Sequence, residues 1–200
     1  MGSDLIERIS SRLRRDAGIS LERTYLYSRA AVDPTPITVS SDVELRIAPI
    51  RASEAHLLAA LGPPDVVEWN LRFSRGDECF GAWVDGQLAH YSWVQLTGEH
   101  PISAAGVEVK VQDTEFWIYN CRTSDAHRGK RIYPRTLQHI ALEYFRAGKR
   151  AGWIYTTFDN VASQHGIERA GFFKLRTLHA LRLGRHYRRL GNDVTSDYAP

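Results

Sequence analysis

A basic, glycine-containing turn stands between two apolar runs: Thr123-Ser-Asp-Ala-His-Arg-Gly-Lys-Arg-Ile-Tyr-Pro-Arg-Thr-Leu137. Before it lies the strand-like run Phe116-Trp-Ile-Tyr-Asn-Cys121. After it, Ile132, Leu137, Ile140, Ala141, Tyr144 and Phe145 recur at helical spacing, predicting a helix over 132–147. The turn therefore feeds a helix N-terminus, where unpaired backbone N–H groups and the positive end of the helix dipole favour a phosphate or pyrophosphate. Arg128, Lys130, Arg131 and Arg135 add positive charge there. Gly129 permits close backbone approach or a positive φ. Pro134 suits a first helical turn, where no N–H is required.

The continuation adds a second signal. Gly152-Trp-Ile-Tyr-Thr-Thr-Phe158 reads as a buried strand. Asn160 is placed to cap a short helix running to Arg169, and Gly171 to end it. Strand, basic turn, helix, strand, Asn-capped helix and Gly-Phe, in that order, resemble the GNAT superfamily of N-acyltransferases. The family pattern Arg-Gly-x-Gly/Ala matches Arg128, Gly129 and Arg131, and its second segment matches Asn160, Ser163, Gly171 and Phe172. The motifs lie in 116–173, and the likeness as a fold covers roughly 43–183.

The resemblance implies acetyl-CoA or coenzyme A as donor substrate, direct transfer of the acyl group to an amine, and no metal. It places the pantetheine arm along Tyr119 to Thr123, so that Cys121 and Thr123 would flank it. The pyrophosphate would rest on Arg128, Gly129, Lys130, Arg131, Ile132 and Tyr133, with Asn160 and Ser163 on the second wall. Two positions depart from the family. Arg131 replaces a small residue, and Ile167 stands where many relatives carry a tyrosine acid. The proton work then falls to Tyr119 first, with Glu115 and Tyr155 as the other candidates. His90 and Tyr91 alternate faces, so one of them faces the pocket. His127 and His165 flank the donor motifs and read as surface residues. A covalent intermediate on Cys121 lacks an adjacent base.

Other elements complete an α/β (α+β) chain: one domain with a mixed, largely antiparallel sheet and flanking helices. Residues 4–16 carry Leu5, Ile6, Ile9 and Leu13 on one stripe and predict an N-terminal amphipathic helix. The expected division is 1–36 for that helix and a connecting segment, 37–190 for the GNAT-like domain, and 191–200 for a tail. Leu21 to Ala30 reads as a strand within the first segment. Strands are expected at 43–47, 78–84, 87–96, 115–123 and 172–183, with helical stretches at 51–61 and 66–73. Asp85-Gly86 marks a hairpin.

With 200 residues, 43% hydrophobic and 24% charged, the chain is long enough for a real core. It has neither a membrane-length apolar run nor a signal-peptide core, so a cytoplasmic location is expected. Two separated cysteines predict neither a disulfide framework nor a metal site. A net charge of +3 does not by itself imply nucleic acid. The expected partner is a small-molecule amine or amino sugar, without integral membrane association, and a homodimer is allowed. Two other readings remain open: a non-catalytic acyl-CoA-binding module on the same fold, and a peripheral membrane or nucleic-acid binder using the N-terminal helix and the basic stretch 182–190.

Overall fold

The computed structural model describes residues 19–31, 43–184 and 186–190. Eight strands form one sheet: β1 (Ile19–Ala30), β2 (Arg46–Ile50), β3 (Glu78–Val84), β4 (Gln87–Gln95), β7 (Glu115–Thr123), β8 (Ala151–Thr157), β9 (Phe173–Leu183) and β10 (His186–Leu190). Their spatial order is β10-β9-β1-β8-β7-β4-β3-β2. Every neighbouring pair is antiparallel except β7 and β8. A separate hairpin, β5 (Glu99–Ile102) and β6 (Val107–Lys110), covers one face. Three α-helices are described: α1 (Val66–Ser74), α2 (Ile132–Arg146) and α3 (Val161–Arg169). The stretch expected to be helical at 51–61 is a 3₁₀ segment, Ala52–Leu61, stopped before the Pro63-Pro64 pair.

The boundary expected at 36/37 needs correction. Strand β1 is not a connecting segment. It lies between β8 and β9 and is antiparallel to both. Its alternation explains the position: Leu26 and Tyr27 point to opposite faces, and both are fully buried, in different cores. The amphipathic helix expected at 4–16 and the tail at 191–200 lie outside the described residues. The basic stretch at 182–190 is the end of β9 plus β10, which pairs back onto it.

Helix α2 buries Leu137, Ile140, Ala141 and Tyr144, the i, i+3, i+4, i+7 pattern read from the sequence. They pack with Phe80, Phe116, Ile118 and Ile154 from the sheet. Ile167 of α3 joins the same cluster, fully buried. The opposite face holds Trp117, Trp153, Leu26 and Leu178 under the β5–β6 hairpin. Helix α1 and the 3₁₀ segment close a third cluster around Trp69 and Trp93.

Candidate active site

The site begins where β7 and β8 part. They pair in parallel at Glu115/Ala151, Phe116/Gly152 and Trp117/Trp153. Beyond that point no further β7–β8 pairing occurs among the described residues. Strand β8 stays with β1 as far as Thr157, and β7 stays with β4 as far as Thr123. The two strands thus open a wedge. From Ile118 onward, the β8-facing edge of β7 offers main-chain donors and acceptors with no strand opposite.

A β-bulge sharpens the opening. Tyr91 pairs with Arg122 and Trp93 with Tyr119, so Asn120 and Cys121 together oppose Ser92. Asn120 takes the left-handed conformation that the bulge requires, with φ 44. With its amide oriented by hydrogen bonding, Asn120 Oδ1 accepts from both terminal nitrogens of Arg72, at 2.5 and 2.8 Å. The bulge also reverses the side-chain parity of β7. Phe116 and Ile118 face α2, and two-residue alternation would send Cys121 to the other face. Instead Cys121 packs against the α2 cluster.

A cavity of about 840 Å³ fills the wedge. Of the candidates read from the sequence, Tyr119, Cys121, Thr123, Arg128, Gly129, Arg131, Ile132, Tyr133, Tyr155, Asn160 and Ser163 line it. Two do not. Lys130 lies off the lining. Glu115 sits at the closed end, 6% exposed, and its carboxylate accepts the Gln112 backbone N–H at 3.2 Å. Strand pairing at 115–117 keeps Glu115 from the wedge, so it is not a candidate base. Arg122, Arg128, Arg131 and Arg169 line the cavity, and no carboxylate does among the described residues. Arg128 also pairs with Asp125 at 2.8 Å on the surface.

The turn has the expected local geometry. Gly129 adopts φ 79, with nothing near the position a Cβ would take. Arg131 precedes α2 in the left-handed conformation, φ 57, where glycine is the usual residue, and no side chain caps the helix. Across the wedge, Asn160 Oδ1 accepts the Ser163 backbone N–H at 3.1 Å and caps α3.

The three cavity tyrosines differ. Tyr119 donates its hydroxyl to Asp77 Oδ2 at 2.5 Å, and Arg75 bridges the same carboxylate at 2.6 Å. Asp77 is 4% exposed. Burial and the adjacent carboxylate raise the Tyr119 phenol well above its ordinary value. Its proton is committed away from the wedge, so the expectation that Tyr119 is the leading acid is not met by this geometry. Tyr155 is raised by burial, and a hydrogen bond with the Ser103 backbone opposes that rise. Tyr133 reaches Ser163 Oγ at 3.2 Å, across the cavity from the α2 start.

Two buried histidines escaped full notice in the sequence. His90, not Tyr91, lines the cavity; its Nδ1 meets Thr123 Oγ1 at 2.7 Å and its Nε2 meets Ser92 Oγ at 2.8 Å. Burial pushes it down to about 3. His100 lies between Trp117 and Tyr119, with Nδ1 2.8 Å from Gln95 Oε1 and burial holding it down at about 4. Asp77, Arg72 and His100 carried no sequence signal, because their neighbours come from distant strands. The alternation of His90 and Ser92 on one strand face was the one available hint. Among the described residues, no helix is long and apolar enough to cross a membrane, and no cluster of His, Cys, Asp or Glu is arranged to hold a metal.

No protein-family model and no curated protein sequence matches the chain. Solved structures do. A GCN5-related N-acetyltransferase from Sphaerobacter thermophilus aligns over 96% of this chain and 59% of its own, with a TM-score of 0.59 at 15% identity. A GNAT-family acetyltransferase from Colwellia psychrerythraea aligns over 88% and 60%, with a TM-score of 0.54 at 17% identity. AAC(6')-Iy, solved with the bisubstrate analogue CoA-S-monomethyl-acetylneamine, aligns over 66% and 93%, with a TM-score of 0.53 at 13% identity. The chain spans about 60% of the length of several of the structures it matches. The fold of this chain is that of the GNAT-family N-acetyltransferases.

Proposed function

We propose that the wedge binds an acyl-CoA, most simply acetyl-CoA, and that the protein transfers the acyl group to the amine of a small molecule. The observation that carries this reading is the β7–β8 wedge, whose β7 edge has no strand opposite and whose lining among the described residues holds four arginines and no carboxylate. A pantetheine arm carries amides that can pair with such an edge. The pyrophosphate would meet the uncapped start of α2, beside Gly129 and Arg131. Asn160 and Ser163 would form the opposite wall.

The reaction forms one bond and breaks one. The amine nitrogen attacks the thioester carbonyl carbon, the C–N bond forms and the C–S bond breaks. The amine loses a proton, and the departing thiolate gains one. Positioning supplies much of the acceleration in such a transfer. Calorimetry with coenzyme A, followed by coenzyme A release from acetyl-CoA over an amine panel, tests the reading. Micromolar binding with release for at least one amine is expected. Absence of coenzyme A binding would sink it.

Ile167 and the committed proton of Tyr119 favour one rival, a non-catalytic acyl-CoA-binding module on the same fold. That rival keeps the binding and loses release with every amine.

A further inference from the structure

The arginines of the wedge do not share one face of the sheet. Arg128 and Arg131 belong to the turn before α2, and Arg169 ends α3. Arg122 stands apart. Beyond the bulge, Thr123 and Arg122 part to opposite faces with their partners on β4. Thr123 joins His90, whose ring meets Tyr133 of α2. Arg122 joins Tyr91, which packs under α1 and the 3₁₀ segment. Arg122 thus lies across the sheet from the start of α2, where the pyrophosphate would rest. Resting on the donor reading above, we propose that the acceptor amine carries an oxyanion, a carboxylate or a phosphate, and that Arg122 and Asn120 receive it on this face.

Arg122 is exposed and lines the cavity, and among the described residues its guanidinium makes no ion pair and no hydrogen bond. It is nevertheless held in place. Gly62, at the end of the 3₁₀ segment, has φ 163, an extended backbone that any residue adopts. A Cβ added there would collide with Arg122 Cζ and come within 2.6 and 2.7 Å of its two terminal nitrogens. The guanidinium therefore lies face-on against the Gly62 main chain, and its N–H edge is left for the cavity. Asn120 is turned to the same face. Buried Arg72, itself paired with Glu68 at 2.9 Å, takes both hydrogen bonds at Asn120 Oδ1. With that oxygen engaged, the amide offers the cavity its N–H donors. Tyr119, the next cavity residue on this face, has its proton on Asp77, whose charge Arg75 also meets.

The chemistry of these donors selects the acceptor. A planar guanidinium fork beside an amide N–H matches the paired oxygens of a carboxylate or phosphate. A cationic amine would need a carboxylate to receive it, and none lines the cavity among the described residues. A polycationic acceptor would meet like charge at Arg122 and is disfavoured. The same charge assists an amine that brings its own oxyanion. The oxyanion pairs with Arg122, while the positive field disfavours the protonated ammonium nearby, so the neutral nucleophile forms more readily.

The test is calorimetry on the coenzyme A-loaded protein, with initial rates from acetyl-CoA. Matched probes are used: α-amino acids against their primary amides, and O-phosphoethanolamine against ethanolamine. The two kinds of pair separate carboxylate from phosphate. In at least one pair the anionic probe should bind on the order of tenfold more tightly than its partner, the scale of one hydrogen bond to a charged group. Arg122→Gln should remove most of that preference, through KM rather than kcat, with coenzyme A affinity little changed. Arg122→Lys should keep part of it. Gly62→Ala, which fills the guanidinium's seat and leaves its charge, should weaken it. Asn120→Asp, which still accepts from Arg72 but donates nothing, should weaken it too. Equal binding within every pair in the parent, or a preference kept in Arg122→Gln, overturns the proposal. A loss of coenzyme A affinity in Arg122→Gln without the acceptor effect also overturns it, by placing Arg122 on the donor. Absence of coenzyme A binding in the parent overturns the donor reading, a distinguishable result because no amine has yet been added.

Discussion

The two ends of β7 show how one strand serves two purposes. At its closed end, Glu115 to Trp117 pair with β8, and the side chains are buried. Phe116 stacks on Tyr144 at 4.9 Å, and its ring lies where a side chain at Gly152 would have to go. At its open end, Tyr119 to Thr123 have lost β8, carry a bulge at Asn120, and expose polar groups to a cavity. The closed end holds the strands together through packing. The open end is held from behind, by β4 and by the Arg72 contact to Asn120. The wedge is the junction of the two, closed where β8 pairs with β7 and open where that pairing has ended.

Breaking the closed end should cost the most. Phe116→Ala removes a fully buried ring and should destabilise by roughly 3–5 kcal/mol, read as a lower denaturant midpoint. The same substitution should leave coenzyme A affinity of the folded fraction nearly unchanged. A large stability loss without an affinity loss supports the division of labour. A proportionate fall in affinity argues against it.

Acid should attack the open end and its neighbour. His90 and His100 are held at about 3 and about 4, below the ordinary histidine value, by burial. Because the folded state resists their protonation, their contribution is complete above about pH 6.5 and is lost as pH falls toward the folded values. Each adds a slope of up to about 1.4 kcal/mol per pH unit in that window. Denaturant titrations at pH 7, 6 and 5 should show this loss, and His100→Gln should flatten part of it. A flat profile from 7 to 5 would contradict the buried, neutral assignment.

The turn before α2 should respond in binding more than in folding. Gly129→Val places a β-branched residue at φ 79, a strained conformation for it. Coenzyme A affinity should fall by on the order of tenfold or more, with a stability loss of about 1–2 kcal/mol. Unchanged affinity by calorimetry would move the phosphate site elsewhere. Arg131→Gly should have the smallest and most diagnostic effect. It relieves a left-handed arginine and should stabilise the protein by up to about 1 kcal/mol. Coenzyme A affinity should fall at the same time if the guanidinium meets phosphate. Stability and affinity moving in opposite directions would mark Arg131 as a residue kept for binding.

Much of the fold and part of the site were legible in the sequence, for physical reasons that differ by region. The helical spacing of Leu137, Ile140, Ala141 and Tyr144, the Asp85-Gly86 hairpin and the Asn160 cap are local signals, and each stands in the structure where the sequence placed it. The turn at 128–133 was legible because glycine, proline and basic residues act within one loop. Three matters were decided only by tertiary structure. Strand β1 could be read as a strand, but its seat between β8 and β9 depends on pairing across more than a hundred residues. The bulge at Asn120 leaves no residue signature, and it decides that Cys121 faces α2; Tyr119, ahead of the bulge and in ordinary alternation with Trp117, turns to Asp77. The roles of the tyrosines followed from their partners on other elements: Asp77 for Tyr119, Ser163 for Tyr133 and the Ser103 backbone for Tyr155. A sequence shows that phenols sit near the wedge, but which one keeps a proton for it depends on hydrogen bonds between strands that only the folded chain brings together.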